Sequence, residues 1–310
     1  MFNQGKNQRA EVLSLQTFDG KSLYFLDAQI RAYLYGGFGA PPTDYQTRRG
    51  YQQDGVLEVN LTLQPRSVSM MVFYAPDCSR DKYWANRLSL HEILRPNRNG
   101  PMTLTLKQPG GISRSLTVRA DPGLVFNPIP VDDNSWNINE PLTFKVFDPL
   151  WFDTVQVNTT KIATADTDLI FPITFIPGSK IVFGVSGAVS SISITYPGTW
   201  ETFPIITLTG PYTSVTITNV TIAVSFTLNI AIAAGEQRII NLAPGMQQIS
   251  DASGNNKFGE LGPNSDLVDF SIHPAPEVAN GINVIQAQFI GGTIGQSSMK
   301  LAYFNKYFAI

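Results

Sequence analysis

Apolar and polar residues alternate along most of this chain. Ser190-Ser191-Ile192-Ser193-Ile194-Thr195-Tyr196 and Ser214-Val215-Thr216-Ile217-Thr218 repeat with period two, and Val182 to Val185 reads the same way. Successive strand side chains point to opposite faces, so this period predicts half-buried antiparallel strands. The Ile, Val and Thr content suits a pleated surface. Turn signals separate the runs at Pro177-Gly178, Pro197-Gly198, Gly210-Pro211, Pro244-Gly245, Ser253-Gly254-Asn255-Asn256 and Asn280-Gly281. Short strands between regularly spaced turns predict a β-sandwich or barrel in the second half. That half contains no run with helical period.

The first half is also strand-rich. Val56 to Leu63 and Met102 to Leu106 alternate, and Gly110-Gly111 reads as a hairpin turn into Ser115 to Val118. One helix is predicted from about Arg80 to Leu94. Ser79 supplies its N-cap, Asp81 suits the helix dipole in the first turn, and Pro96 blocks continuation. Tyr83, Arg87, Leu90 and Leu94 share one face, with Trp84, Leu88 and His91 beside it. The chain shows no internal repeat and no low-complexity tract.

Charge sets the two halves apart. Residues 1–153 hold 16 Lys+Arg and 15 Asp+Glu, against 6 and 9 in residues 154–310. The shift predicts two domains, 1–153 and 154–310, with a seam just after Phe147-Asp148-Pro149-Leu150-Trp151-Phe152-Asp153. Over all 310 residues the net charge is −2 and 43% of positions are hydrophobic, which is enough for a real core. The near-neutral charge speaks against a dedicated nucleic-acid binder. No stretch reaches the ~18 apolar residues of a membrane helix. The N-terminus lacks the apolar region of a secretory signal, so synthesis in a cytoplasm is expected. The glycosylation tripeptides at Asn60, Asn158 and Asn219 are therefore read as chance.

Little in the chain suggests catalysis. One Cys, Cys78, excludes a disulfide framework, and His91 and His273 are the only histidines. Helix rise separates Cys78 from His91 too far for a catalytic pair, and no G-x-S-x-G elbow is present. Glu201, Glu236, Glu260, Asp266 and Asp269 show no spacing that singles out a glycosidase pair. Asp251-Ala252-Ser253-Gly254-Asn255-Asn256 lacks the ligand alternation of a calcium loop and reads as a turn. Gly36-Gly37-Phe38-Gly39 has no Walker lysine and reads as a flexible loop. Neither metal nor cofactor is expected. Arg48, Arg49, Arg66, Arg80, Lys82, Arg87, Arg95 and Arg98 are interleaved with acids, as on a solvated or subunit-facing surface. The aromatics Tyr74, Tyr83, Trp84, Trp136, Trp151 and Phe152 exceed what helix packing needs, and interfaces favour Tyr, Trp and Arg. Arg48, Arg49, Trp84, Arg87 and Trp151 are accordingly the candidate oligomer-interface residues.

The order of several short motifs resembles a known family. Arg48-Arg49-Gly50-Tyr51-Gln52-Gln53-Asp54-Gly55 comes first, then Gln64-Pro65-Arg66-Ser67-Val68 in a strand. The helix closes with Leu94-Arg95-Pro96-Asn97-Arg98-Asn99-Gly100-Pro101-Met102-Thr103-Leu104, and Asp148-Pro149-Leu150-Trp151-Phe152 ends the half. This series resembles the N-terminal ring-forming half of the phage distal tail protein family of siphovirus-type tails. Gly198 to Pro211, Ala234-Gly235-Glu236, the strand Arg238 to Leu242, Leu261 to Leu267 and Asn280-Gly281-Ile282-Asn283 are similar to its galectin-like sandwich. Asp121–Asn139 aligns poorly, and Asn158–Gly187 is longer and more apolar than the family pattern.

The resemblance implies a mainly β fold: a barrel- or sandwich-like ring domain with one helix, followed by a galectin-like antiparallel β-sandwich. It implies a structural virion protein at the tail tip or baseplate, forming a homohexameric ring. Expected partners are further copies of the chain, the tail tube protein, the tape-measure protein, and a tail-tip hub or receptor-binding protein. DNA would meet the protein only by passing through the ring. The family carries no catalytic residues. A competing reading makes the second sandwich a carbohydrate-binding module or adhesin, with Trp200, Tyr196 and Tyr212 as the candidate sugar-stacking residues. A glycan hydrolase is a third.

Overall fold

In a computed structural model the described residues are 12–25, 30–74, 80–95, 100–108, 110–121, 129–132, 135–137, 139–165 and 187–310. The chain is mainly β, with a single α-helix among the described residues. It divides into two units, Met1–Thr154 with Tyr307–Ile310, and Val155–Lys306. The final four residues thus belong to the first unit, not to the second as the charge shift suggested.

The first unit contains β1 (Val12–Gln16), β2 (Ser22–Tyr24), β3 (Ile30–Gly36), β4 (Thr43–Arg48), β5 (Leu57–Leu63), β6 (Arg66–Tyr74), α1 (Arg80–Leu94), β7 (Met102–Lys107), β8 (Ser113–Ala120), β9 (Ile129–Asp132), β10 (Ser135–Asn137), β11 (Asn139–Val146) and β12 (Trp151–Asp153). Its main sheet runs β2-β1-β7-β8-β11-β6-β3. β8 forks this sheet. One end pairs with β11 through Phe144↔Ala120 and Lys145↔Arg119, and the other pairs with β12 through Phe152↔Ser115 and Asp153↔Arg114. The strands on both sides of the fork feed one core. Leu13, Leu15, Leu104 and Leu116 meet Val68, Met70, Leu142, Phe144 and Val146 there. Each such buried side chain contributes about 1.5–3 kcal/mol. Gly110 and Gly111 both have positive φ in the β7–β8 turn, where side chains are unfavourable. α1 turns Leu90, Ile93 and Leu94 inward and leaves Trp84, Leu88 and His91 exposed.

The second unit contains β13 (Val157–Ile162), β14 (Thr164–Ala165), β15 (Ala188–Thr195), β16 (Ile205–Thr209), β17 (Ser214–Asn219), β18 (Val224–Leu228), β19 (Gln237–Asn241), β20 (Gln248–Asp251), β21 (Ile282–Ile290) and β22 (Ser298–Tyr303). They form two five-stranded antiparallel sheets, β14-β15-β21-β17-β18 and β13-β22-β16-β19-β20. Ile192, Ile194, Ile217, Ile285 and Phe289 of one sheet share a core with Ile206, Leu208, Ile240, Met299 and Leu301 of the other. This is the sandwich that the period-two runs predict. Buried Asn283 is paired inside it: its Nδ2 donates to the His273 carbonyl at 2.8 Å, and the His273 amide donates to its Oδ1 at 3.0 Å.

Cys78, the Ser79 cap, Pro96, Arg98, Pro177-Gly178 and the Val182–Val185 run lie outside the described residues. So do the side chains of Tyr74, Arg80, Lys82, Tyr83 and Trp136.

Candidate functional site

β4 and β5 form a two-stranded sheet of their own and, among the described residues, pair only with each other. Their register sets Thr43 against Leu63, Tyr45 against Leu61 and Arg48 against Leu57, with an irregularity between Gln46 and Thr47. Alternation puts Leu61 and Leu63 on one face with Tyr45 and Thr43, and Asn60 and Thr62 on the other with Gln46 and Asp44. The irregularity leaves Val59 as an extra residue and exchanges the faces beyond it, so Leu57 lies with Arg48 and Glu58 with Thr47. Apolar side chains of the ribbon are not covered: Tyr45 is 55% exposed, Leu57 60% and Val59 64%. A two-stranded ribbon on its own is marginal in water, and its open edges and exposed apolar side chains are a template for association. At the tip, Arg49 Nε donates to the Gln53 carbonyl at 3.1 Å and the Gly50 amide donates to Gln53 Oε1 at 3.0 Å. Those bonds fix a turn that projects Tyr51, 94% exposed, beside the exposed Arg48 and Arg49.

The base of this arm is rigid. The Gln64 amide donates to the Pro42 carbonyl at 2.8 Å, closing the ribbon. Arg66, at the start of β6, is buried and donates from Nη1 to the Gly39 carbonyl at 2.6 Å. Burial pushes its guanidinium down to about 10, with Asp148 acting in the opposite direction. Its carbon lies 5.3 Å from the Trp151 ring centroid. Trp151 packs edge-on against Phe38 at 5.5 Å and donates its indole N–H to the Phe38 carbonyl at 3.2 Å. Gly37 has φ +87, and a Cβ there would overlap the Ser67 carbonyl. Gly37→Ala should therefore cost about 2 kcal/mol, read as a lower denaturant midpoint for the first unit.

These contacts correct one interface expectation. Trp151 is fully buried, because Phe38, Arg66 and the first core enclose it. It fastens the arm's base and offers no surface. Trp84 and Arg87 do reach the surface of α1, with the guanidinium 5.0 Å from the indole centroid and Trp84 44% exposed. Leu88, one turn on, is exposed beside them.

The sugar-stacking trio does not assemble. The Tyr196 side chain is buried; its hydroxyl donates to the Trp200 carbonyl at 2.7 Å and accepts from the Lys306 amide at 2.8 Å. Tyr212 is buried against Phe289 at 5.4 Å, and desolvation pushes its hydroxyl well above the ordinary tyrosine range. Both rings are core, and Trp200 is half-buried. Tyr196→Phe should cost about 2 kcal/mol in chemical unfolding of the second unit, since two buried backbone groups lose their partner.

The acidic candidates serve local structure. Glu260 takes a two-pronged bond from Arg238, 2.7 Å from Nε and 3.0 Å from Nη2. Glu236 accepts from the Ala233 amide, and Asp266 accepts from the amides of Val268 and Asp269. Asp251 accepts from the amides of Ser253 and Asn255 and from the Asn255 side chain, which hold its carboxyl below the usual range. The loop is a turn, as its Ser-Gly-Asn composition suggests. Among the described residues no group of three or more His, Cys, Asp or Glu side chains is placed to hold a metal ion.

No family model and no curated protein matches this chain. Solved structures do. The crystal structure of the Dit protein of phage SPP1, described as a paradigm of the hub adsorption apparatus in phages infecting Gram-positive bacteria, superposes with a TM-score of 0.63. The match covers 95% of this chain and 99% of that one, at 14% identity. The chain has the Dit fold. A chain of the phage p2 baseplate in its activated conformation with Sr matches at TM-score 0.50 and 11% identity, covering 94% of this chain and 98% of that chain. The likeness to Dit thus spans both units.

One cluster on this Dit fold was not anticipated from the sequence. Ser271 Oγ lies 3.0 Å from Glu201 Oε2 and 2.9 Å from His273 Nε2, while His273 Nδ1 lies 2.7 Å from Glu277 Oε2. Ser271 and His273 flank Ile272, which bridges to Thr202, so the spacing Ser-x-His is a signal present in the sequence. Glu201 arrives from 70 residues away and carries no such signal. Ser271 is 1% exposed, which keeps its hydroxyl from any large substrate.

Proposed function

We propose that this chain is a distal tail protein whose copies close into a homohexameric ring joining the tail tube to the tail tip or baseplate hub. The observation that carries the proposal is the two-stranded arm, which presents exposed apolar side chains on a Dit fold. Such side chains need a partner, and a further copy of the same chain supplies one at every position of a closed ring. Arg48 and Arg49 at the tip, with Trp84 and Arg87 on α1, are the proposed subunit contacts. The first unit builds the ring, and the sandwich is the outward, galectin-like module. The tail tube protein, the tape-measure protein and a hub or receptor-binding protein are the proposed neighbours. The proposed location is the virion tail after synthesis in the host cytoplasm, and the role is structural, not enzymatic.

Light scattering and negative-stain images of the purified chain test this reading. A hexamer, or a twelve-subunit double ring, with a central hole is the expected outcome. A chain that stays monomeric, alone and when mixed with its tail tube and tape-measure proteins, overturns it.

A further inference from the structure

The contacts among Glu201, Ser271, His273 and Glu277 are a problem in counting hydrogens. Ionised Glu277 and Glu201 are acceptors only, while Ser271 has one hydrogen to donate. The Nδ1–Glu277 contact of 2.7 Å requires a hydrogen on Nδ1. The Ser271–Glu201 contact of 3.0 Å requires the serine hydrogen. The Ser271–His273 contact of 2.9 Å then requires a hydrogen on Nε2. All three bonds exist together only when the ring carries both protons. With one proton on the ring, the serine hydrogen turns to Nε2, and Glu201 faces a bare oxygen.

We propose that these four residues form a proton-operated latch: the doubly protonated His273 ring holds the Glu201 segment through Ser271, and loss of the Nε2 proton to solvent releases it. The charged groups facing the ring are Glu277, from its own segment, and Glu201, whose Oε2 lies 4.0 Å from Nε2. β21 contributes the neutral Asn283, which bonds the His273 backbone and keeps the ring's attachment fixed while the proton changes. The segment that would move is short. Thr202 pairs in both directions with Ile272, at 3.0 and 2.8 Å, so it stays anchored one residue beyond Glu201. On the other side is Trp200, the half-buried indole next in the chain. Release of Glu201 therefore reads out at Trp200. The latch is independent of the ring proposal, because it needs no second copy.

The test uses solution NMR of the full chain with 13C-labelled histidine and fluorinated tryptophan, titrated between about pH 5 and 8, where histidine changes charge. His91→Asn leaves His273 as the only imidazole, and Trp200→Phe assigns the Trp200 signal. The expected result is a Trp200 shift that tracks His273 protonation with a common midpoint. In Ser271→Ala and Glu201→Ala that tracking is lost while His273 still titrates. Glu201→Ala removes a partly exposed side chain and keeps the test available should Ser271→Ala fail to fold. A Trp200 signal that ignores His273 in the unaltered chain overturns the latch. So does tracking that survives Glu201→Ala.

Discussion

Leu57→Glu together with Val59→Glu should dissolve the assembly into single chains, leaving the fold of each chain in place. Both side chains project from the two-stranded ribbon, at 60% and 64% exposure, and neither contributes to a core. Their loss therefore costs a lone chain almost nothing, within about 0.5 kcal/mol for a surface change. At a subunit contact the same change buries a carboxylate against apolar surface. A central interface residue is worth about 2 kcal/mol or more, close to a 30-fold loss of association for each one altered. In a ring every junction carries the defect, so the losses multiply. Sedimentation or light scattering reads the mass, and thermal unfolding confirms the fold. Glu58→Ala removes the charged side chain between them, and it should leave the assembly unchanged. An equal loss from Glu58→Ala would assign the contact to the ribbon's backbone edge instead of its apolar side chains.

Ending the chain at Lys306 should cost the first unit about 4 kcal/mol. The four residues removed are few, but Tyr307 is a buried part of the first core, and Ile310 packs against it. The Arg114 guanidinium sits 3.5 Å from the centroid of the Tyr307 ring. The Tyr307 hydroxyl donates to Asp153 Oδ2 at 3.2 Å, and Arg114 Nη1 donates to the Ala309 carbonyl at 3.3 Å. Deleting a buried aromatic side chain typically costs about 3–5 kcal/mol, and a cation over its face adds about 0.5–2 kcal/mol. A domain of this size loses about 2–4 °C per kcal/mol, so the melting transition of the first unit should fall by about 10 °C. Tyr307→Phe keeps the ring and loses the hydroxyl bond alone, and it should cost about 1 kcal/mol. A truncated chain that melts with the full-length one would show that the ring and its cation contribute nothing.

The local code was legible wherever a residue's neighbours in sequence decide its conformation. α1 runs from Arg80 to Leu94, the span that periodicity predicts, and the β7–β8 hairpin turns at the two glycines chosen for it. The alternation in β15 and β17 translates directly into alternating burial. β5 marks the limit. Its period is that of a half-buried strand, yet Leu57 to Asn60 are exposed, because alternation specifies two faces and not what covers either. Aromatic identity failed in a similar way. Trp151, Tyr196 and Tyr212 have the residue types of a binding surface, and they are core because Phe38, Trp200, Lys306 and Phe289 close over them from distant positions. The return of the last four residues to the first unit likewise has no local signal. It depends on where Arg114 and Asp153 lie in space.

That return makes the sandwich an insert with matched ends. Where the chain leaves and re-enters the first unit, Asp153 and Tyr307 are one hydrogen bond apart. Inside the second unit, Val157 and Tyr303 are opposite each other on paired strands. An insert of some 150 residues with free ends would oblige the first unit to close a long loop, an entropic charge that grows with the logarithm of its length. A sandwich that folds by itself brings its own ends together and removes most of that charge. Each junction is thus compatible with a different cassette, larger, smaller or of another fold, provided its ends emerge side by side. Modules can be exchanged on such a scaffold while the first unit stays the same.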